Sequence, residues 1–211
     1  MAGRLKIIDN LEGRAQATPD DYQMISDLVV KVLRGMNENS NNISEKIPYT
    51  QTDLEWLISR MSPESIKQKS EPGYLVVYEE DGKMYGVGCL SKVKDIWLIR
   101  TLYVDIEQQG KRIGSQILTK LEEKARALGI DRLELAAINF DSTVEFYKRK
   151  GYKATHHIYY KAGPITIKEV HLDDENNPTK EEYFANDGKT EVEYNDEWKG
   201  CMKETIMEKV I

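Results

Sequence analysis

Apolar and polar positions along the chain fall into blocks whose periods differ enough to separate strands from helices. Ile96 to Val104 is a nearly continuous apolar run of strand length. Ile113, Ile117, Leu118, Leu121, Ala125 and Leu128 then recur at helical spacing, Gly129 ends that run, and Asp131 to Ile138 alternates as a strand does. The unit predicted is strand, glycine turn, helix, strand. Upstream, a first strand is expected near Glu12 to Ala17. Thr18-Pro19-Asp20-Asp21 reads as a helix start with Pro at the first helical position, and the helix is expected to run to about Arg34. Residues 35–48 read as a polar loop, Thr50 with Asp53 opens a second helix, and Met61-Ser62-Pro63-Glu64 breaks it and starts a short third piece. Downstream, Ser142-Thr143-Val144-Glu145 has the form of a capping box for a short helix that Gly151 closes. Lys153 to Lys161 and Cys201 to Ile211 are strand candidates, and between them Thr166 to Leu172 and Thr190 to Tyr194 are read as an inserted hairpin.

The turn inside the central unit carries the first chemical signal. Gln108-Gln109-Gly110-Lys111-Arg112-Ile113-Gly114 opens directly into a helix. The first NH groups of a helix have no intrahelical partner and carry the positive end of its dipole, so phosphate oxygens are favoured there. A glycine turn before a helix also serves simply to redirect a strand. A P-loop requires Ser or Thr after Gly-Lys, and Arg112 follows Gly110-Lys111. A Rossmann fingerprint requires three glycines at a spacing that Gly110 and Gly114 do not make.

The pattern Gln/Arg-x-x-Gly-x-Gly/Ala fits better, and the stretch from Leu102-Tyr103-Val104-Asp105 to Gln109-Gly110-Lys111-Arg112-Ile113-Gly114 resembles the acetyl-CoA signature of the GNAT superfamily of N-acetyltransferases. Arg112 stands where that family usually has the first motif glycine. Phe146-Tyr147 followed by Gly151-Tyr152 is similar to a second family block, Gly73 to Tyr78 with Met84 to Leu90 resembles its central hairpin, and Tyr49 to Leu57 its second helix. The resemblance covers residues 13–160. It implies an α/β fold with a mixed, mostly antiparallel central sheet, splayed at its centre and flanked by helices, in one N-acetyltransferase domain spanning residues 1–211. An acidic insertion at 162–198 would precede a final strand at 200–211 that pairs beside the strand before it. It implies acetyl-CoA as co-substrate, held by the backbone of Leu102 and Val104 and by the loop Gln109, Gly110, Lys111, Arg112, Ile113 and Gly114. Asn139 would contact the pantetheine arm and Tyr147 would lie beside the sulfur.

Charge sharpens the partner classes. The chain of 211 residues has a net charge of −6, and residues 169–211 hold thirteen Asp or Glu against five Lys, so the acidity is local. Nucleic-acid binders need a basic face to displace counterions, and this balance argues against such a partner. It favours a cationic amine through steering, and equally fits a solvated acidic surface. Apolar runs are too short for a membrane span, and MAGRLKIIDN lacks the apolar stretch of a signal peptide, so a cytoplasmic, non-membrane protein is expected. A homodimer is left open. Cys89 and Cys201 are too few and too far apart for a disulfide scaffold or a paired-cysteine zinc site, and read as buried thiols.

Acetyl transfer to an alkyl amine sets its own requirements. At neutral pH the amine lies about three and a half units below its pKa, so freeing its lone pair costs roughly 4 to 5 kcal/mol and needs a base. The thiolate that leaves gains from an acid at the sulfur, the role the resemblance implies for Tyr147. Asp95, Tyr103, His156 and Glu79 are open candidates for the base. No metal is needed and no ligand cluster is visible in the sequence. The function expected is acetyl transfer to a primary amine, of a small molecule, in a ternary complex. A protein lysine or N-terminus, or a CoA-binding module without turnover, are the alternatives.

Overall fold

The structure, a computed structural model, describes residues 3–12, 16–39, 51–138, 141–161, 165–184 and 202–211. Two compact units comprise Met1–Glu38, Leu57–Leu133 and Val210–Ile211 in the first, and Asn39–Trp56 with Glu134–Lys209 in the second. Nine strands and five α-helices are formed by the described residues, and the fold is mixed α/β with mostly antiparallel strands, as expected.

In the first unit, strands β1 (Arg4–Asp9), β2 (Gly73–Glu80), β3 (Lys83–Val93) and β4 (Ile96–Val104) lie side by side in that order, each antiparallel to the next. Helices α1 (Pro19–Asn39), α3 (Pro63–Ser70) and α4 (Ile113–Ala127) accompany them, and α2 (Gln51–Ser59) straddles the boundary between the units. Tyr22, Ile25, Val29, Val32 and Leu33 of α1 are buried at helical spacing, which is why this segment is a helix with one face inward. Its start is fixed by a reciprocal cap: Asp21 Oδ2 accepts from the Thr18 NH at 2.9 Å, and Thr18 Oγ1 accepts from the Asp21 NH at 3.2 Å. Helix α3 begins where Ser62 accepts from the Ser65 NH with Pro63 in its first turn, as read from the sequence.

Two boundaries differ from expectation. The first strand is Arg4–Asp9, upstream of the expected Glu12 to Ala17, of which Glu12 lies in a turn, Ala17 lies outside any strand and residues 13–15 lie outside the described residues. Asp9 and Asn10 tie Glu12 and Ala17 instead, since Asp9 Oδ1 accepts from the Glu12 NH and Asn10 Oδ1 from the Ala17 NH, each at 3.1 Å. Helix α1 runs on to Asn39, past the expected end at Arg34. Residues 40–48 of the expected polar loop, and residues 49–50 after it, lie outside the described residues.

The second unit carries β5 (Arg132–Ile138, its first residues in unit one), β6 (Lys153–Lys161), β7 (Ile165–Leu172), β8 (Pro178–Tyr183) and β9 (Met202–Val210) in the order β5-β9-β6-β7-β8, with helix α5 (Asp141–Arg149). The last strand therefore pairs beside β6, antiparallel, as the resemblance implied. Within the expected insertion, β7 pairs with β8. That replaces the expected pairing of Thr166–Leu172 with Thr190–Tyr194, and the latter lie outside the described residues.

Candidate active site

Loop 105–112 is built from its entry residue outward. Asp105, 1% exposed, donates its NH to the Tyr85 carbonyl at 2.8 Å. Its carboxylate accepts from the Glu107 NH at 3.1 Å and from Lys31 Nζ of α1 at 2.7 Å. That contact holds the Lys31 ammonium above the ordinary lysine value, mainly through the hydrogen bond from Lys31 to Asp105. A 3-10 turn, Ile106–Gln108, follows, and Gln109 donates to the Ile106 carbonyl at 3.2 Å. Gly110 then takes φ +82°, with open space where a Cβ would sit. Gln109, Gly110, Lys111 and Arg112 are all exposed, and Lys111 Nζ donates to Gln108 Oε1 at 2.6 Å.

Arg112 caps α4 with φ 63° and ψ 12°, in the left-handed region, and its side chain makes no capping hydrogen bond. The first bond of the helix runs from the Gln116 NH to the Arg112 carbonyl at 3.0 Å, so the NH groups of Ile113, Gly114 and Ser115 have no partner within the helix. The sequence marked Arg112 as a departure from the family's usual glycine, and in the structure this L-residue occupies a left-handed position that favours glycine.

The helix start is held in place by β3. A Cβ on Gly86 would lie 2.8 Å from side-chain atoms of Ile113 and Ile117, and one on Gly88 would lie 2.6 Å from Ile117. Only glycine lets α4 approach the strand this closely. At the helix's other end Lys124 Nζ donates to Asp9 Oδ2 at 2.9 Å and Glu12 Oε1 at 2.8 Å. Burial pushes the Asp9 carboxyl up, but the Lys124 contact and backbone NH groups outweigh it and leave the pKa lowered.

Leu102 and Val104 are half-buried on β4, with Val104 opposite Gly86. The β3–β4 register shifts between Val87 and Cys89, and facing that shift Thr101 takes φ 54°, so β4 is bulged just before the segment expected to meet the pantetheine amides. The structure thus brings Leu102, Val104, Gln109, Gly110, Lys111, Arg112, Ile113 and Gly114 into one strand, loop and helix start. Asn139 lies outside the described residues.

Tyr147 belongs to the second unit. It is 6% exposed on α5, with its ring edge-on to Phe146 at 5.1 Å and to Tyr152 at 5.7 Å between centroids. Its carbonyl accepts from the Tyr152 NH at 3.1 Å, while Gly151 at φ +86° donates to the Lys148 carbonyl at 2.9 Å. This paired closure fixes the backbone of Tyr147 and confirms the stop expected at Gly151. The helix begins at Asp141, so Ser142 lies inside it rather than capping it.

The base candidates separate. Asp95 sits fully exposed in the β3–β4 turn beside Lys92 at 3.8 Å, roughly 30 Å of strand from the loop, which removes it. Glu79 is 14% exposed between Arg4 at 3.9 Å and Lys6 at 3.8 Å. Tyr103 is half-buried on β4 opposite Val87. His156 pairs across β6 and β7 with His171, and burial lowers its pKa. Its neighbour His157 lies opposite Thr205, with Nδ1 3.0 Å from the hydroxyl, and is pushed down to about 4 by burial and then by Lys203, His156 and Lys148. Cys89 is buried, as expected, and burial pushes its thiol up to about 12. Cys201 lies outside the described residues. One group escaped the sequence: Glu169, His171 and Glu182 bring ligand atoms within 4.8 Å of one another, although no ligand cluster was expected.

Residues 45–168 match the family model described as the Acetyltransferase (GNAT) domain, more than half of the chain. The chain belongs to the GNAT acetyltransferase family. Its sequence is 40% identical over 65 residues to an aminoalkylphosphonate N-acetyltransferase of Salmonella typhimurium, a match spanning 30% of this chain and 42% of that relative's length. Among solved structures, a GCN5-related N-acetyltransferase from Rhodopseudomonas palustris superposes with a TM-score of 0.62 at 15% identity, covering 100% of this chain and 97% of that one. The PaiA N-acetyltransferase from Thermoplasma acidophilum, solved in complex with coenzyme A, gives 0.58 at 15% identity with 99% of both chains covered. These likenesses are of fold. No helix among the described residues is long and apolar enough to cross a membrane.

Proposed function

We propose that the protein transfers an acetyl group from acetyl-CoA to a primary amine of a small molecule, by direct attack in a ternary complex, with the whole chain acting as one acetyltransferase domain. The observation that carries this is the start of α4, where Gly110 and Arg112 turn the chain through positive φ and leave the NH groups of 113–115 without helical partners. Such a cradle suits the pyrophosphate of CoA through its backbone NH groups, with Lys111 and Arg112 exposed beside it. The backbone of Leu102 and Val104 is suited to strand-like pairing with the pantetheine amides, and Asn139 is assigned to the same arm.

The amine nitrogen forms its bond to the thioester carbonyl carbon, the carbon–sulfur bond breaks, and the nitrogen loses a proton as the sulfur gains one. Tyr147 is assigned as the acid toward the sulfur, on the family's Phe-Tyr block and the rigid helix end that holds it. The aminoalkylphosphonate relative supports a small amine as acceptor, and family membership supports acetyl-CoA as donor. A panel of aliphatic amines, aminophosphonates and lysine peptides, followed by free-thiol release and by mass of the product, tests the assignment. An acetylated small amine is expected. Exclusive acetylation of the peptides would replace the acceptor class, and acetyl-CoA binding without turnover on any amine would leave a binding module.

A further inference from the structure

The hairpin β7–β8 carries none of the residues assigned above to acetyl-CoA or to Tyr147, although its His171 stacks on His156 of β6. Glu169 and His171 are two apart on β7 and share a face, as Lys180 and Glu182 do on β8. The register sets Glu169 directly opposite Glu182 and His171 opposite Lys180, while on its other side His171 faces His156 of β6. Like charges directly opposed across a ladder are destabilising. Glu182 is partly compensated, with Oε2 2.9 Å from His171 Nε2 and Oε1 accepting from Lys180 Nζ at 2.6 Å. Glu169 is half-buried and makes no hydrogen bond or ion pair among the described residues. A half-buried carboxylate facing a second carboxylate, with an imidazole nitrogen beside them, calls for a cation between them.

We propose that Glu169, His171 and Glu182 form a binding site for a divalent transition-metal ion of the zinc type, clipping β7 to β8. Magnesium and calcium prefer oxygen-only sets, so the imidazole selects the class of ion. Zinc bonds of about 2.0 to 2.2 Å set ligand atoms roughly 3.4 Å apart. The ligand atoms lie within 4.8 Å of one another, so each pair has to close by roughly 1.4 Å or less, a distance on the scale of side-chain rotation in the two glutamates. His156 is a positioning residue: its ring stacks on His171 at 5.6 Å and 29°, and its Nδ1 lies 3.0 Å from Thr155 Oγ1. Lys180 competes for the carboxylate the ion takes. Three protein ligands leave the remaining positions to water, consistent with the exposed edge of the hairpin.

The full chain, purified without a polyhistidine tag and stripped with chelator, is titrated with Zn2+ by calorimetry and with Co2+ by visible absorption, in excess Mg2+. A single saturable equivalent is expected, with d–d bands of a low-coordinate site and a melting temperature that rises until that equivalent is bound. Glu169→Gln, which breaks no hydrogen bond or ion pair among the described residues and removes only a charge that acts on His156, should weaken binding roughly tenfold or more, and His171→Ala should remove the Co2+ bands. Lys180→Ala should tighten binding, which a plain surface ion pair would not do. Zn2+ uptake that fails to saturate, or an affinity unchanged in Glu169→Gln, overturns the site, and the glutamine variant keeps this decisive even if His171→Ala does not fold.

Discussion

Replacing Arg112 tests the geometry of loop 105–112, the proposed cofactor loop, at its least ordinary residue. Arg112 sits at φ 63° and ψ 12°. A left-handed conformation costs an L-residue about 1 to 2 kcal/mol, and glycine avoids that cost while losing about 0.5 to 1 kcal/mol through the freedom of its unfolded chain. Arg112→Gly should therefore stabilise the protein by between zero and about 1.5 kcal/mol. In a chain of this size that raises the melting temperature by up to about 3 to 6 °C. Arg112→Ala is the control, because it removes the same charge and keeps the strained backbone. The glycine variant should melt above the alanine variant by the same few degrees. Acetyl-CoA titrations of both then isolate the side chain. A guanidinium gripping phosphate contributes about 1.5 to 3 kcal/mol, so both variants would bind at least about tenfold more weakly if it did so. An exposed Arg112 without a capping bond predicts affinities near that of the parent. A glycine variant less stable than the alanine variant would refute the left-handed assignment.

Gly88→Ala places a methyl 2.6 Å from Ile117 and 2.9 Å from Leu121, both fully buried, and overpacking of this kind should cost about 1 to 3 kcal/mol in thermal or denaturant unfolding. Tyr147→Phe keeps the edge-on ring packing and removes only the hydroxyl, so acetyl-CoA affinity should survive while turnover falls on the order of tenfold to a thousandfold. Unchanged turnover, where chemistry limits the rate, would leave Tyr147 a core residue. His157 titrates near its ordinary 6.5 when unfolded and near 4 when folded, so the unfolded chain binds the extra proton between those values and stability should fall as pH drops through that window. His157→Gln should flatten that part of the stability profile, and a profile unchanged by the substitution would place the titration elsewhere.

Strand β4 and strand β6 were legible to the residue, because each is bounded by turn residues and filled with β-formers. Loop 105–112 and the end of the Phe-Tyr helix were legible because each turns at a glycine, Gly110 and Gly151, that takes positive φ. Strand β1 was misplaced for a physical reason. Only one of its neighbours is a strand, Ile7 is 42% exposed, and Asp9 is buried, so its pattern does not alternate cleanly. Strand β8 reads PTKEEY, with Pro at its first position and no aliphatic residue, which an edge strand tolerates and a pattern search passes over. The Glu169, His171 and Glu182 group was hidden for the same reason. Its members meet only through the register of two strands, one of which had no sequence signal.

The central claim is that the start of α4 holds the pyrophosphate of acetyl-CoA. Calorimetric titration of acetyl-CoA into the parent chain and into Gly114→Asp tests it most directly, since the substitution sets a carboxylate beside the NH groups of residues 113–115. The account predicts saturable binding to the parent and a loss of about tenfold or more in the variant, with melting temperature without ligand showing that the helix has kept its fold. Equal affinity in the two proteins, or no binding to the parent, would contradict it.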